Sequence, residues 1–239
     1  MKKIVSEKTT KTFRQKHEQA IDLIDEAYTK YFPSITILNS FSSKEGAVLL
    51  DIVQRLNLPL NVTFIDTGRL PESVLEHMAH MQLVHPRMDV TILYPDANRL
   101  SEFTSRQGIN CFRESVEERK LCCGIRKVDP WKEYIQQNEI KAYFTGKRRG
   151  QSGRGQVLQH KSIHDTAEFN PLYNWTDSEI SAYIEVYRPH VHPWVSDGWY
   201  ESLGCEPCSR PGKGREGRWW WEENDAPKEC GLHMDGDGI

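Results

Sequence analysis

Ile35-Thr-Ile-Leu-Asn-Ser-Phe41, running directly into Ser42-Ser-Lys-Glu-Gly46, carries the strongest architectural signal in the chain. A short apolar, β-branched run that ends in a hydroxyl-rich turn reads as a buried strand handing over to a helix. Residues 62–67 (VTFIDT), 90–94 (VTILY) and 142–145 (AYFT) repeat the strand half of that signal. Helical periodicity fills the intervals at residues 45–57, 71–84, 97–107 and 129–138. Strands alternating with helices imply βαβ units, a parallel sheet and helices on both faces: an α/β fold.

The flanks follow from the same reading. Phe13, His17, Ile21, Ile24, Tyr28 and Tyr31 recur at helical spacing, so residues 12–31 form an amphipathic helix that Pro33 stops. Another helix opens at Thr176-Asp-Ser-Glu179, a capping box, and runs through Tyr187. Beyond Pro189 the chain is rich in Pro, Gly and Trp and has little periodicity. The expected organisation is an N-terminal helical extension (residues 1–33), an α/β core (34–188), and an irregular segment (189–239) wrapped over the ligand edge of the sheet, ending in a mobile tail. Together these make one functional domain.

With 239 residues and 38% hydrophobic content the chain can bury a core. There is no apolar run of membrane-spanning length and no signal peptide, so a soluble, cytoplasmic protein is expected. A net charge of −3 argues against nucleic acid as partner. Positive charge is concentrated in Lys141, Lys147, Arg148, Arg149, Arg154 and Lys161, and again in Arg210, Lys213, Arg215 and Arg218. These are either solvated loops or the surroundings of a small anion.

In parallel sheets ligands bind beyond the carboxyl ends of the strands. The loops found there are the 40–46 turn, Asp66-Thr-Gly-Arg69 and Gly146-Lys-Arg-Arg149. The first offers backbone N–H groups and a helix N-terminus to phosphate, or is simply an N-capped turn. The second is either a nucleotide-contacting loop or a tight turn before a helix. His17, His77, His80 and His85 read as helix-surface residues, and Trp219, Trp220 and Trp221 as an aromatic clamp on the C-terminal segment.

Cysteine usage is more specific. Cys122-Cys123 and Cys205-Glu-Pro-Cys208 form two close pairs, the ligand set of one metal centre. Adjacent ligands strain a tetrahedral zinc ion, whereas a cuboidal iron–sulfur cluster accepts them. Cys230, in Lys228-Glu-Cys-Gly-Leu-His233, is left over. Its polar, glycine-flanked setting suits a nucleophile or an ordinary surface thiol. Cys111 has no evident role.

Five separated motifs resemble the assimilatory adenylyl-sulfate (APS) reductases, the iron–sulfur branch of a family that also contains the 3′-phosphoadenylyl-sulfate (PAPS) reductases. They are Cys122-Cys-Gly-Ile-Arg-Lys-Val-Asp-Pro130, Thr145-Gly-Lys-Arg-Arg-Gly-Gln-Ser152, Gly204-Cys-Glu-Pro-Cys-Ser-Arg-Pro211, Gly217-Arg-Trp-Trp-Trp-Glu222 and Lys228-Glu-Cys-Gly-Leu-His233. The resemblance implies an adenine-nucleotide α-hydrolase-like fold with APS across the strand ends. It implies that Ser40, Ser42 and Glu45 form the phosphate loop and that Asp66, Thr67, Gly68 and Arg69 hold the adenosine. Lys127, Arg154, Arg215, Arg218 and His233 would surround the phosphosulfate. Cys122, Cys123, Cys205 and Cys208 would ligate a [4Fe-4S] cluster. Cys230 would attack the sulfur of APS, and reduced thioredoxin or a similar dithiol protein would release sulfite.

A homo-oligomer with no nucleic-acid or membrane partner is expected. The nearest alternative is PAPS as substrate or dual specificity. More distant readings are a phosphate-loop ATP pyrophosphatase that modifies tRNA and a non-catalytic iron–sulfur sensor.

Overall fold

The computed structural model describes residues 7–149, 157–163 and 165–222. The chain begins with α1 (Glu7–Tyr31) and then alternates β1 (Ile35–Leu38), α2 (Lys44–Arg55), β2 (Asn61–Ile65), α3 (Glu72–Val84), β3 (Asp89–Leu93) and α4 (Ala97–Gln107). After α5 (Val116–Cys123), a π-helical stretch at Gly124–Val128 leads into α6 (Asp129–Gln137). The sheet resumes with β4 (Ala142–Phe144), β5 (His160–Ile163) and β6 (Thr166–Phe169), followed by α7 (Asp177–Tyr187) and the short α8 (Pro193–Ser196).

The six strands pair in the order β3-β2-β1-β4-β6-β5. All neighbours are parallel except β5, which runs antiparallel to β6 at the edge. Period-two alternation assigns the faces. Ile35 and Ile37, Val62 and Phe64, and Ala142 and Phe144 join α1, α2, α3 and α7 residues in the main core. Ile65 and Tyr143, with Leu38 and Leu93, meet Trp131, Tyr134 and Ile135 of α6 in a second cluster. Helices therefore cover both faces, as the alternation in sequence implies.

The four strands and six helices read from the sequence are present, with ends that differ by a few residues; α1 starts earlier, at Glu7. The reading lacked β5, β6 and α5, so the sheet is mixed at one edge rather than wholly parallel. His77 was read as a surface residue, yet it is buried on α3 and its ring lies 5.4 Å from that of buried His192. The partner is why: α3 packs His77 against the 189–203 segment instead of presenting it to water. Likewise Lys147 and Arg148 are buried rather than solvated.

Strand order reverses between β1 and β4, and this switch point is where an open α/β sheet leaves a crevice beyond its carboxyl ends. The described part of the C-terminal segment folds over that edge. Ser42 Oγ donates to the Leu203 carbonyl (3.2 Å), and Glu206 N donates to the Arg69 carbonyl (2.8 Å). No helix among the described residues is long and apolar enough to cross a membrane.

Candidate active site

A cavity of about 550 Å³ lies at the switch point. One wall is the turn after β1. Asn39 shapes it: its Oδ1 accepts from Phe41 N (2.8 Å) and its Nδ2 donates to the Gly46 carbonyl (3.0 Å). Ser43 caps α2 by accepting from Gly46 N (3.0 Å), so the turn and the helix N-terminus are fixed together. Ser42 Oγ reaches Ser40 Oγ at 2.9 Å. The positive α2 terminus and these hydroxyls make that wall suited to an anion.

The facing wall comes from the π-helical stretch and from the C-terminal segment, which contribute Lys127, Gly204, Arg215 and Arg218. Arg218 is buried and its Nε has no partner among the described residues, although its guanidinium stacks on Trp219 at 4.8 Å. A buried cationic N–H without an acceptor is costly unless a ligand supplies one. Gly204 makes room for it, because a Cβ there would come within 2.6 Å of the guanidinium.

Beside this cavity is a smaller one lined by Arg69, Phe112, Arg119, Cys122, Cys123, Arg126, Lys127, Cys205, Pro207 and Cys208. Lys127 lines both. The four cysteines, distant in sequence, are buried in one cluster with Phe103, Cys111, Phe112 and Trp219. None of the described cysteines is in a disulfide. Buried cations flank them. Arg119 pairs with Glu222 and stacks on Trp219 at 4.4 Å, and Arg126 Nη1 donates to the Thr67 carbonyl (2.7 Å) while its Nε has no partner among the described residues.

The thiols are not equivalent. Burial, with Cys205 nearby, pushes the Cys208 thiol up to about 12, and burial also raises Cys122. At Cys205 burial acts in the same direction but is outweighed by Lys127, the Thr67 hydroxyl 3.2 Å away, Arg218 and Arg126, so its thiol is lowered. No group of three or more His, Cys, Asp or Glu among the described residues is disposed to hold a metal ion as the side chains stand.

Of the residues singled out from sequence, Ser40, Ser42, Glu45, Thr67, Lys127, Arg215 and Arg218 line the larger cavity. Asp66, Gly68 and Arg69 do not line it. Asp66 Oδ1 accepts from Gly68 N (2.8 Å), and Gly68 has φ 68°, a turn that favours glycine. Arg69 turns to the thiol side, donating to the Ile109 carbonyl (2.6 Å) and Asn110 Oδ1 (3.0 Å) and stacking on Phe112 at 5.0 Å. Arg154, Cys230 and His233 lie outside the described residues. The sequence reading gave no individual site role to Asn39, Arg119, Arg126 or Arg148, although Arg148 stood in the strand-end loop 146–149. Arg126 stood inside a recognised motif, and its position between paired cysteines and Lys127 was the available signal.

Comparison with known proteins matches residues 36–211 to the phosphoadenosine phosphosulfate reductase domain. The chain is 36% identical over 199 residues to the adenosine 5′-phosphosulfate reductase of Burkholderia cepacia, covering 80% of this chain and 77% of that protein. It is 34% identical over 233 residues to the enzyme of that name from Allochromatium vinosum, covering 94% of this chain and 88% of that one. Among solved structures, phosphoadenylyl-sulfate reductase from Candida auris, a phosphate complex, superimposes with a TM-score of 0.65 at 18% identity, covering 85% of this chain and 97% of that one. The NH3-dependent NAD synthetase of Campylobacter jejuni superimposes with a TM-score of 0.53 at 15% identity, covering 74% of each chain. These last two likenesses concern the fold.

Proposed function

The chain belongs to the phosphoadenosine phosphosulfate reductase family of oxidoreductases, and on that premise we propose that it reduces adenylyl sulfate to sulfite and AMP in the cytoplasm, with reduced thioredoxin or a similar dithiol protein as donor. The observation that carries this reading is the pairing of two sites through Lys127: an anion-suited cavity at the strand switch point and a buried quartet of thiols next to it.

In the proposed reaction the adenosine side of APS sits at the strand ends near Thr67 and the phosphosulfate lies between the 40–46 turn and Lys127, Arg215 and Arg218. Arg154 and His233, which lie outside the described residues, would act on the same anion by the family resemblance. The Cys230 thiolate attacks the sulfur of APS. The S–O bond breaks, AMP leaves with the electron pair, and Cys230 carries an S-sulfonate. Lys127, Arg215 and Arg218 offset charge that builds on the leaving oxygens. A thiolate of the dithiol protein then attacks Cys230 Sγ, sulfite departs, and the donor's second thiol resolves the mixed disulfide. Two electrons pass from the dithiol to sulfur, and the step balances without another reductant.

The thiol quartet fits an iron–sulfur group better than a lone ion. A single zinc ion requires all donors about 2.3 Å from one point, whereas a [4Fe-4S] cluster takes four thiolates at four separate corners. Buried Arg119 and Arg126 would offset the negative charge of such a centre. When bound by Cys122, Cys123, Cys205 and Cys208, it supplies a fixed anionic hub joining α5 to the 205–208 turn and setting the field at Lys127.

The substrate class is tested by sulfite release from labelled APS and, in parallel, PAPS, each with and without reduced thioredoxin. Thioredoxin-dependent sulfite from APS is expected. Release from PAPS alone would reassign the substrate, and release from neither would overturn the proposal.

A further inference from the structure

Arg148, in the loop after β4, is 4% exposed at its side chain, yet it reaches three walls of the larger cavity. Its Nε and Nη2 donate to Glu45 Oε1 at 2.9 and 2.7 Å, on the first turn of α2. Nη1 donates to the Trp175 carbonyl at 3.1 Å, just before α7. Nη2 also pairs with Asp177, the first residue of α7. One N–H of Nε, one of Nη1 and both of Nη2 are thereby directed at protein acceptors, at least four of the five a guanidinium has. Burial opposes the charge, but Glu45 and Asp177 outweigh it and raise the Arg148 pKa.

From this geometry we infer that Arg148 is a positioning residue: it clamps the start of α2, the loop after β4 and the start of α7 around the substrate cavity, and Glu45 acts through it rather than on the anion. The inference rests on the reading above, in which that cavity takes a phosphosulfate. A lone carboxylate on the phosphate wall would repel such a ligand, and pairing with Arg148 offsets its charge. Arg218 makes the contrast clear, since its buried Nε has no protein acceptor among the described residues and stays available to an anion.

A second observation supports the clamp. A Cβ at Gly146 would lie 3.0 Å from the Glu45 carbonyl carbon and 3.1 Å from its Cβ and oxygen. The loop after β4 thus rests directly on the backbone of the α2 first turn, and Arg148 ties it down two residues later. On the far side α7 is held by its own capping box between Thr176 and Glu179, so Asp177 sits on a fixed helix start although its side chain is 90% exposed. A planar fork meets three fixed acceptors, which an ammonium on a flexible stem does not reproduce.

The test is a double-mutant cycle on the full-length, cluster-loaded protein, using Glu45→Gln, Arg148→Met and the double variant, with Arg148→Lys as the milder change. Backbone hydrogen exchange reports the clamp without any substrate. Amides of residues 40–46 and 177–181 should exchange at least tenfold faster in Arg148→Met, and detectably faster in Arg148→Lys, while the central strands keep wild-type protection. In kinetics with APS, each single variant should raise KM about tenfold or more with a smaller change in kcat, and the double variant should be no worse than the poorer single. Unchanged exchange at both helix starts would overturn the clamp. Multiplicative losses in the double variant, or wild-type KM in Arg148→Met, would overturn the assignment of Glu45 and Arg148 to one positioning unit. Wild-type protein that fails to turn over APS would refute the substrate reading instead, and the exchange result would still judge the clamp.

Discussion

Lys127, Arg215 and Arg218 reach one cavity wall from places nearly ninety residues apart in sequence, and their charge is the main electrostatic asset of the site. If they act on the phosphosulfate, replacing any one by Ala should cost at least ~2 kcal/mol in kcat/KM, the scale of a lost charge-assisted contact. Steady-state kinetics decides it: unaltered values in all three variants would remove them from the phosphosulfate. Gly204→Ala should mimic Arg218→Ala in part, because its Cβ would displace the guanidinium; a variant with wild-type kinetics would show that the arginine need not sit there. Arg69 has a different expectation. Its bonds to Ile109 and Asn110 brace the thiol side, so Arg69→Ala should lower thermal stability and hasten loss of cluster absorbance while KM changes little. A large KM effect with a normal melting curve would place Arg69 on substrate. At this scale the sequence was informative for Lys127, Arg215, Arg218 and the paired cysteines, which stand in spaced motifs and line the two cavities. It did not reveal the pairing of Arg148 with Glu45, which joins positions 103 residues apart.

Helices and strands were legible where apolar periodicity sets burial, as in β1 to β4 and α1, α2, α3, α4 and α6, or where a capping box marks a helix start, as in α7. Two of the missed elements, β6 and α5, hide charge or thiols instead. Strand β6 buries Glu168, which accepts from Tyr143 Oη (2.9 Å) and from Lys147 Nζ (2.7 Å), so its sequence does not look like a core strand. Helix α5 reads as polar because its buried residues are Arg119, Cys122 and Cys123. The junction of α3 with the 189–203 segment makes a pH prediction. Burial, reinforced by His192, His80 and His190, lowers the His77 pKa from 6.5 to about 4. Unfolded chain therefore binds a proton near pH 6.5 that the folded chain accepts only near pH 4, so stability present above that window is lost as pH falls through it. The loss from this residue is at most about 3 kcal/mol. Urea midpoints at pH 7 and 5.5 should fall further in wild type than in His77→Phe, a comparison in which other acid-sensitive groups are common to both proteins. Equal falls would show that the histidine does not couple α3 to pH.

On the scale of the whole molecule, the fold places two cavities side by side, and the sequence already implied this arrangement through strand-end loops and paired cysteines. What it did not reveal is the mutual bracing: Thr67 and Arg69, expected on the nucleotide, also contact the 205–208 turn. Protein purified without oxygen should carry about four iron and four sulfide per chain on Cys122, Cys123, Cys205 and Cys208. Stoichiometric zinc without sulfide would refute that assignment. The central claim is that the switch-point cavity presents APS to the Cys230 thiolate. It is tested most directly by incubating the cluster-loaded protein with APS in the absence of any thiol donor and mapping adducts by peptide mass spectrometry. The account predicts a gain of about 80 Da, one sulfonate, on the peptide containing Cys230, its removal with sulfite release on adding reduced thioredoxin, and no adduct in Cys230→Ser. An adduct on Cys111, or sulfite production by Cys230→Ser, would contradict it.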